Sequence, residues 1–481
     1  MLQYFEKRKK TYPQDVKGKF RSIKNVTNFV CLAIFFLIPF LRWNRGSVIP
    51  NQAILIDIPD ARGYFFFIEM WPEEVYYIAA LLIFSAIALF FVTSLFGRVW
   101  CGYSCPQTVW TDIFVKIERL FQGDRNDRIK RDRKVLSFQN IWRKTATHFS
   151  WMVISLVTGI GFINYFNDAP SIIKNLIDLN LSWTQIGWIS GIAGMTYLMA
   201  GFAREQVCNY MCPYARFQSA MFDPNTLIIS YDALRGEARG KAKKGESFED
   251  RGHCIDCKQC VVVCPANIDI RDGLQMECIA CGLCIDACDN VMEKMGLPKG
   301  LIRYDTEIHL ANNALSNLKA ESDYCKTTDC KSSEKQTRFK FLRPRTFYYL
   351  AILIVTGGLI IMNLSSKSLI KVDVLHDRNP MFVMMSNGDI RNGYDVKISN
   401  KTFVDKFYRI EVAGIKYSKI KIENIDDFSN NNVLVEAGEV ESFKVYLTVK
   451  EENISGKNEA QFIVTDDEGK SVAAKSVFIG R

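Results

Sequence analysis

The sequence predicts a multidomain membrane protein: five transmembrane helices, a cysteine-rich cytoplasmic insert between the fourth and fifth, and a C-terminal all-β immunoglobulin-like sandwich. Three observations carry that expectation. Five stretches have the length and apolarity of membrane spans, two closely spaced four-cysteine runs fall between the last two, and the chain beyond about residue 371 alternates with period two. At 481 residues the chain has room for two to four domains of roughly 150 residues each. The 48% hydrophobic content averages two unlike populations, because long apolar runs alternate with basic polar stretches. A net charge of +9 is compatible with nucleic acid, a membrane surface or topology signals. Nothing resembles a nucleic-acid-binding motif and the basic residues cluster beside the apolar runs, so no nucleic-acid partner is expected and the charge is read as topology.

A helix crossing the hydrocarbon core needs about 20 mostly apolar residues. Five segments qualify, at 25–43, 75–96, 149–167, 183–203 and 346–364. Trp43, Tyr76, Trp183 and Tyr348 at their ends suit the headgroup belt. The fourth is the least apolar, with Thr184, Gln185, Ser190 and several glycines. The basic start, MLQYFEKRKK, is unlike a cleaved secretory signal and reads as leading into a retained anchor. Lys7, Arg8, Lys9, Lys10, Lys17, Lys19, Arg21 and Lys24 precede the first span, and Arg125 to Lys144 crowd the loop after the second. The loop at 44–74 holds only Arg45 and Arg62, and that at 168–182 only Lys174. The positive-inside rule therefore places the N-terminus in the cytoplasm of a bacterium and, after five spans of its inner membrane, the C-terminal region in the periplasm.

That topology gives the cysteines a meaning. The expected outer loops and outer domain hold none of the 15, which lie on the reducing side or, for Cys31, within the first span. Disulfide scaffolding is a poor explanation; metal or redox chemistry is a good one. Between the fourth and fifth spans the chain reads CIDCKQCVVVCP from Cys254 and CIACGLCIDAC from Cys278, each Cys-x2-Cys-x2-Cys-x3-Cys. In bacterial two-cluster ferredoxins with this spacing, the fourth cysteine of each run ligates the other run's cluster. One [4Fe–4S] cluster is thus expected on Cys254, Cys257, Cys260 and Cys288, the second on Cys278, Cys281, Cys284 and Cys264. Zinc sites use four ligands with a longer gap between pairs, so zinc is the weaker reading. A pair of such clusters makes the protein an electron carrier.

A second cysteine pattern occurs twice. VWCGYSCPQTVW holds Cys101 and Cys105 after the second span, and QVCNYMCPYARFQ holds Cys208 and Cys212 after the fourth. Both are Cys-x3-Cys-Pro with tyrosine at the second x-position, Tyr103 and Tyr210, so two spans plus a motif form an internal duplication. The i, i+4 spacing places both thiols of a pair on one helix face, and symmetric packing would bring all four together at the inner membrane face. Soft thiolates suit Cu(I), zinc or iron–sulfur clusters, and a dithiol can also cycle through a disulfide. Copper binding, a dithiol relay and an additional cluster stay open; the bland alternative is unpaired cysteines in packing positions. Membrane haem would want histidine pairs within spans, and of His148, His253, His309 and His376 only His148 reaches a span edge.

The C-terminal runs YDVKIS, FYRIEVAGI, VLVEAG, SFKVYLTV, QFIVTD and SVAAKSVFI alternate at short, regular intervals, as in a sandwich of the immunoglobulin type without its cysteine pair. Within HDRNPMFVMM, near its start, Met381, Met384 and Met385 read as a methionine-rich core strand, with a thioether site for Cu(I) together with His376 as the lesser alternative. Cys325 and Cys330 sit in a polar linker and receive no reading. The domain plan is a cytoplasmic segment 1–24, a four-span region 25–212, a cytoplasmic dicluster domain 213–345, a fifth span 346–364 and a periplasmic sandwich 365–481.

In the order WCGYSCPQTVW, VCNYMCPYARFQ, the dicluster run, a last span, RNPMFV, IRNGY and the sandwich, nearly the whole chain resembles the cytochrome c oxidase accessory protein CcoG family, also called FixG or RdxA. The resemblance implies a membrane-bound protein that reduces Cu(II) to Cu(I) during assembly of cbb3-type oxidase, with copper as substrate or transient ligand at Cys101, Cys105, Cys208 and Cys212. It implies as partners oxidase assembly factors, a copper transporter or chaperone, and a cytoplasmic electron donor of unknown identity. Cys325, Cys330 and the methionines depart from the family pattern. Two other classes remain beside the reductase: a quinol-linked electron-transfer subunit of a respiratory reductase, and a non-enzymatic assembly scaffold with structural clusters.

Overall fold

Among the described residues of the computed structural model, five helices are long and apolar enough to cross a membrane: Lys19–Phe40, Pro72–Phe96, Phe138–Ile163, Trp183–Ala203 and Pro344–Ser365. The structure describes residues 10–480 apart from 46–48, 134–136, 244, 247, 249–250, 313–342, 418, 424–431, 451 and 453–455; Cys325 and Cys330 lie outside the described residues. The fourth helix has the expected bounds. The first starts before the expected residue 25 and the third before residue 149, because their opening turns carry charges that hydropathy excludes and the fold accommodates. Arg21 and Lys24 are buried, facing Asp112, and Arg143 donates to the Phe121 carbonyl at 3.0 Å.

The helices used below are α1 (Lys19–Leu37), α2 (Tyr76–Phe96), α3 (Val99–Tyr103), α4 (Pro106–Gln122), α5 (Phe138–Ile163), α6 (Trp183–Thr196), α7 (Pro213–Ala220), α8 (Gln259–Val262), α9 (Leu283–Met295) and α10 (Pro344–Ser365). A hairpin sheet β1 (Ile54–Asp57), β2 (Arg62–Phe65) and β3 (Ile68–Met70) lies between α1 and α2. Strands β4 (Ile228–Tyr231) and β5 (Ile302–Asp305) pair antiparallel and bracket the dicluster segment in the chain. Ser182 and Gln185 form a capping box that starts α6, and the helix runs on through π-turns at Tyr197–Ala203.

The chain divides into two compact units, residues 1–41 with 53–360, and residues 42–52 with 361–481. In the first, the dicluster segment is bound to the start of α1. The backbone N–H groups of Phe20 and Arg21 donate to the Asp286 carboxylate at 3.2 and 2.8 Å, and Asp286 is buried on α9. The approach requires Gly18, where a Cβ would lie 2.3 Å from the Asp286 Cγ. The chain just before α1 follows the same surface: Gln14 N–H donates to Val262 O at 3.0 Å, and Asn290 Nδ2 donates to Lys17 O at 2.7 Å. Asp112 on α4 then takes Arg21 in a two-pronged pair at 2.7 and 3.2 Å and Asn28 Nδ2 at 3.0 Å, which fixes α1 against α4. Burial alone would raise the Asp112 carboxyl, but Lys24, Arg21 and Lys116 outweigh it and hold it below the usual carboxylate range.

The second unit is the expected sandwich. One sheet runs β10 (Lys419–Ile422), β12 (Val440–Val449), β8 (Ile390–Asn400), β6 (Ile370–His376), with β7 (Val383–Met384) added to β8. The other runs β11 (Asn432–Val435), β9 (Lys406–Ala413), β13 (Lys457–Asp466), β14 (Ser471–Ile479). Every second residue of β8, β9 and β13 turns inward, and Tyr394, Val396, Tyr408, Ile410, Phe462 and Val464 meet in one fully buried core. The methionine-rich segment contradicts the expectation of a core strand. Its strand is two residues long, and Met381, Met384 and Met385 are 55%, 47% and 37% exposed, because β7 joins the sheet only by its short pairing with β8 and stays outside the core.

Removing the Asp286 carboxylate leaves two N–H groups of α1 without their acceptor. Asp286→Ala is expected to cost about 0.5–2 kcal/mol and to lower the thermal midpoint of the purified protein, with Asp286→Asn recovering most of the loss. An unchanged midpoint in both variants would remove this contact from the account of the fold.

Candidate functional site

The two cysteine runs fold as local copies of each other. Asp256 and Ala280, each directly before the second cysteine of its run, have φ of 50° and 53°. Lys258 and Gly282, each directly after it, have φ of 55° and 74° and serve as N-caps of α8 and α9. Alternating left-handed residues turn successive N–H groups inward, as in an anion-binding nest. Ala280 N–H lies 3.4 Å from Cys278 Sγ, and the N–H groups of Ile268 and Ala266 face the Cys264 sulfur.

The eight thiols sort across the runs. Negative charge on Cys264 is opposed by Cys281 and Cys278, and charge on Cys288 by Cys260, Cys257 and Cys254. Cys284 feels Cys281, Cys278, Cys264 and, more weakly, Cys260, so the two groups adjoin. The fourth cysteine of each run stands with the first three of the other. Burial, followed by this mutual repulsion, pushes Cys264 and Cys288 up to about 12, and burial pushes Cys260 and Cys278 to about 11. Thiolates so placed need a compensating positive charge. Cys260, Cys264, Cys278, Cys281 and Cys284 line a cavity of about 20 Å³ walled by Ile229, Ile268, Ile270 and Ile279. Among the described residues no three His, Cys, Asp or Glu side chains stand close enough to share a single metal ion. Thiols that are mostly buried or partly buried, gathered behind apolar walls, fit an iron–sulfur cluster.

The duplicated motif lies directly against this unit. At Gly102 a Cβ would come within 2.7 Å of Ile279 O and 3.0 Å of Ala280 O, so glycine is what allows α3 to touch the loop between Cys278 and Cys281. Tyr103 donates to Cys281 O at 3.0 Å, and Tyr304 on β5 donates to Ala280 O at 2.5 Å. Phe20 packs on Tyr304 with ring centroids 5.4 Å apart. The Arg98 guanidinium donates to Met276 O and to Ala215 O, joining the dicluster loop to the second motif's helix. The thiols of the two motifs are neighbours: Cys101 is opposed by Cys105, Cys208 and Cys212, and Cys208 by Cys105 and Cys212. Cys101 Sγ also donates to Gln218 Oε1 on α7 at 3.2 Å.

The expectation that each pair occupies one helix face is corrected. Proline disfavours the α conformation in the residue before it, so Cys105 and Cys212 are extended, with ψ of 129° and 110°, and each leads into a new helix at Pro106 or Pro213. Each motif is therefore a helix end followed by a helix start. Burial pushes Cys105 up while the N–H groups of Thr108 and Gln107 at the start of α4 draw it down; burial pushes Cys101 to about 12 and Cys208 to about 11. The four thiols gather, with no three of them, among the described residues, placed to share one ion. Sequence reasoning missed Gly102, Gln218, Tyr304 and Asp286, and marked Tyr103 only as a repeated residue. Its counterpart Tyr210 is 60% exposed, so the repetition alone did not reveal a contact made in one copy.

Five apolar helices, a two-run cysteine unit built for iron–sulfur clusters and a thiol motif against it define a membrane-bound iron–sulfur electron-transfer protein. Residues 203–307 match the family model "4Fe-4S dicluster domain", 78–124 match "4Fe-4S binding domain", and 360–481 match the model for the Ig-like fold at the C-terminus of FixG. The chain is 40% identical over 479 residues to nitrogen fixation protein FixG of Rhizobium meliloti, covering 96% of this chain and 91% of that one. It is 42% identical over 445 residues to protein RdxB of Cereibacter sphaeroides, covering 92% and 89%. It therefore belongs to the FixG/RdxA family. Ferredoxin-type protein NapH of Haemophilus influenzae is similar at 23% identity over 44% of this chain and 66% of that one. A crystal structure of a FixG-related protein from Vibrio parahaemolyticus aligns at 25% identity and a TM-score of 0.21, covering 24% of this chain and 99% of that one.

Tyr103→Phe removes one hydrogen bond, of about 0.5–1.5 kcal/mol, from the loop carrying Cys278 and Cys281. The variant is expected to keep its iron and to change the midpoint potential and EPR signal of one of two clusters. Gly102→Val, which forces the loop away from α3, is expected to alter the same signal more strongly. Identical spectra and potentials in both variants would disconnect the motif from the clusters.

Proposed function

We propose that this protein reduces Cu(II) to Cu(I), passing single electrons from the dicluster unit to metal held at the thiols of the duplicated motif, for assembly of a cbb3-type cytochrome c oxidase. The observation that carries the reading is the contact of Gly102 and Tyr103 with the loop between Cys278 and Cys281, which leaves no intervening layer between the two thiol sets. In the assignment we propose, Cys254, Cys257, Cys260 and Cys288 hold one [4Fe–4S] cluster, and Cys278, Cys281, Cys284 and Cys264 the other. Bound there, the clusters store and release one electron each. The chain supplies the rest. The apolar walls around Cys264 and Cys284 exclude water from the path, and Tyr103 and Tyr304 fix the loop by its carbonyls.

Reduction of one Cu(II) consumes one electron and transfers no atom. Cu(I) is the softer ion, so thiolate from Cys101, Cys105, Cys208 or Cys212 stabilises the product over the substrate and helps drive the step. Two thiolates in line suffice for Cu(I), so the reading needs no more than two of the four thiols on one ion. Binding releases thiol protons, because thiolate is the ligand, and Cys105 is the thiol that helix N–H groups prepare for it. We propose further that the N-terminus and dicluster unit face the cytoplasm and the sandwich the periplasm of a bacterial inner membrane, where oxidase assembly factors and a copper transporter or chaperone would receive the product.

A second reading has its own support. Trp151, Phe202, His148, Arg204 and Lys144 line a cavity of about 340 Å³ where α5 meets the π-turns after α6, a size and chemistry that suit a quinol ring, and the NapH similarity spans part of the chain.

Chemically reduced protein mixed anaerobically with Cu(II) and a Cu(I)-specific chelator should form Cu(I), and Cys101→Ser/Cys105→Ser should slow it by about tenfold or more. No Cu(I) from the wild type would overturn the reductase, and equal rates would move the site away from these thiols. Iron beyond two clusters, lost in the same variant, would mean the motif holds an additional cluster. Quinol oxidation by the same sample would favour the second reading.

A further inference from the structure

The geometry points to the surface around Cys257 as the docking site of a small acidic one-electron carrier protein, which would deliver electrons to the dicluster unit. The inference rests on the reading that Cys254, Cys257, Cys260 and Cys288 hold a cluster, and it concerns the end of the unit opposite the thiol motif. Among the described cysteines Cys257 alone is exposed; the others are buried or partly buried. Cys278 and Cys281 belong to the loop that α3 and Tyr304 cover, so the unit has one covered end and one open end.

The open end is basic. Lys258 follows Cys257 directly and is exposed. The run Arg239, Gly240, Lys241, Ala242, Lys243 lies alongside, with Gly240 N–H donating to Cys254 O at 3.1 Å, and its three cationic side chains are exposed. Four acids nearby are engaged in ion pairs. Arg271 holds Asp256 and Asp269, each at 2.6 Å, Arg239 holds Glu237 at 3.1 Å, and Arg251 holds Glu246 at 2.9 Å. Lys241, Lys243 and Lys258 have no acidic partner among the described residues. Unpaired lysines around an exposed redox centre produce a positive field that steers an anionic partner into contact and speeds encounter more than it tightens binding. A soluble carrier that must arrive, give one electron and leave uses such a surface. The reduced carrier loses one electron, the unit gains one, and no bond forms or breaks.

Reduced flavodoxin, an acidic one-electron donor, serves as the probe. Full-length holoprotein in detergent is mixed with it in a stopped-flow instrument, and bleaching of the cluster absorbance is followed across ionic strength. The second-order rate constant is expected to fall steeply with added salt. In Lys241→Glu/Lys243→Glu it should be lower by about tenfold at low salt and should converge on the wild type once the screening length is well below about 10 Å. Lys258→Glu should act in the same direction, and the pair at 241 and 243, off the cysteine loop, carries the test if that variant loses iron. Binding of oxidised flavodoxin to immobilised protein should weaken in parallel, while full bleaching by dithionite stays unchanged. A wild-type rate insensitive to salt, or equal rates in wild type and the double variant, overturns the docking site. Normal bleaching by flavodoxin without Cu(I) formation would count against the copper step alone.

Discussion

A helix that starts at a membrane surface has N–H groups with no partner in its own ladder, and in this chain a carboxylate from the cysteine-rich segment takes two of them. Asp286 stands between Cys284 and Cys288, so the residue that caps α1 is rigidly tied to two of the eight thiols. Asp286 is buried, and the absence of a Cβ at Gly18 is what lets its carboxylate approach. The rest of the first unit follows from it. Phe20, one residue into the helix, packs on Tyr304; Arg21 reaches Asp112 on α4; and Cys105 is the N-cap of α4. A single cap therefore relates the dicluster loops to the helix pair carrying the first thiol motif, which a flexible tether between a ferredoxin and a membrane anchor could not do.

Two internal repeats meet at this junction, and they are symmetric to different degrees. The dicluster runs match in their left-handed residues and in the helices that follow, because cluster ligation constrains backbone as well as side chain. The Cys-x3-Cys-Pro copies share the helix break before proline but not their surroundings. The first has Gly102 and Tyr103 against the Cys278–Cys281 loop, while the second has Tyr210 exposed and reaches the first through Gln218 and Arg98. Of the two copies, the first makes the tight joint to the Cys278–Cys281 loop, while Cys208 and Asn209 of the second share a cavity with Val263, Pro265 and Ala266.

Span number, the iron–sulfur class of the cysteine-rich segment and the sandwich were legible in the sequence, because apolar length, cysteine spacing and period-two alternation are local signals. What escaped was decided by distant partners. The early starts of α1 and α5 look too charged for helices near a membrane until Asp112 and the Phe121 carbonyl are seen to receive Arg21, Lys24 and Arg143. The methionines at 381, 384 and 385 look like a core strand by composition, yet pairing gives them a two-residue edge. The thiol pairs look co-facial by spacing, and the proline rule, equally local, overrides spacing there. Asp286 and Tyr304 carry no signal in one sequence, since their roles exist only once the dicluster segment folds back on residues 14–21.

The two ends of the dicluster unit differ in a way that bears on direction. Near the membrane motif the thiols are enclosed by isoleucines, tyrosine hydroxyls and backbone, and their burial opposes negative charge. Around Cys257 the surface is open, and Arg271 holds Asp256 and Asp269 beside it. An added electron is a negative charge, so the basic open end stabilises it on arrival and the apolar end does not. Burial raises the thiols of both sets, Cys288 as much as Cys264, so the difference between the two ends lies in access and surface charge around Cys257 and not in thiol burial. On the function proposed above, electrons would enter at the open, basic end around Cys257 and leave at the covered end beside Tyr103.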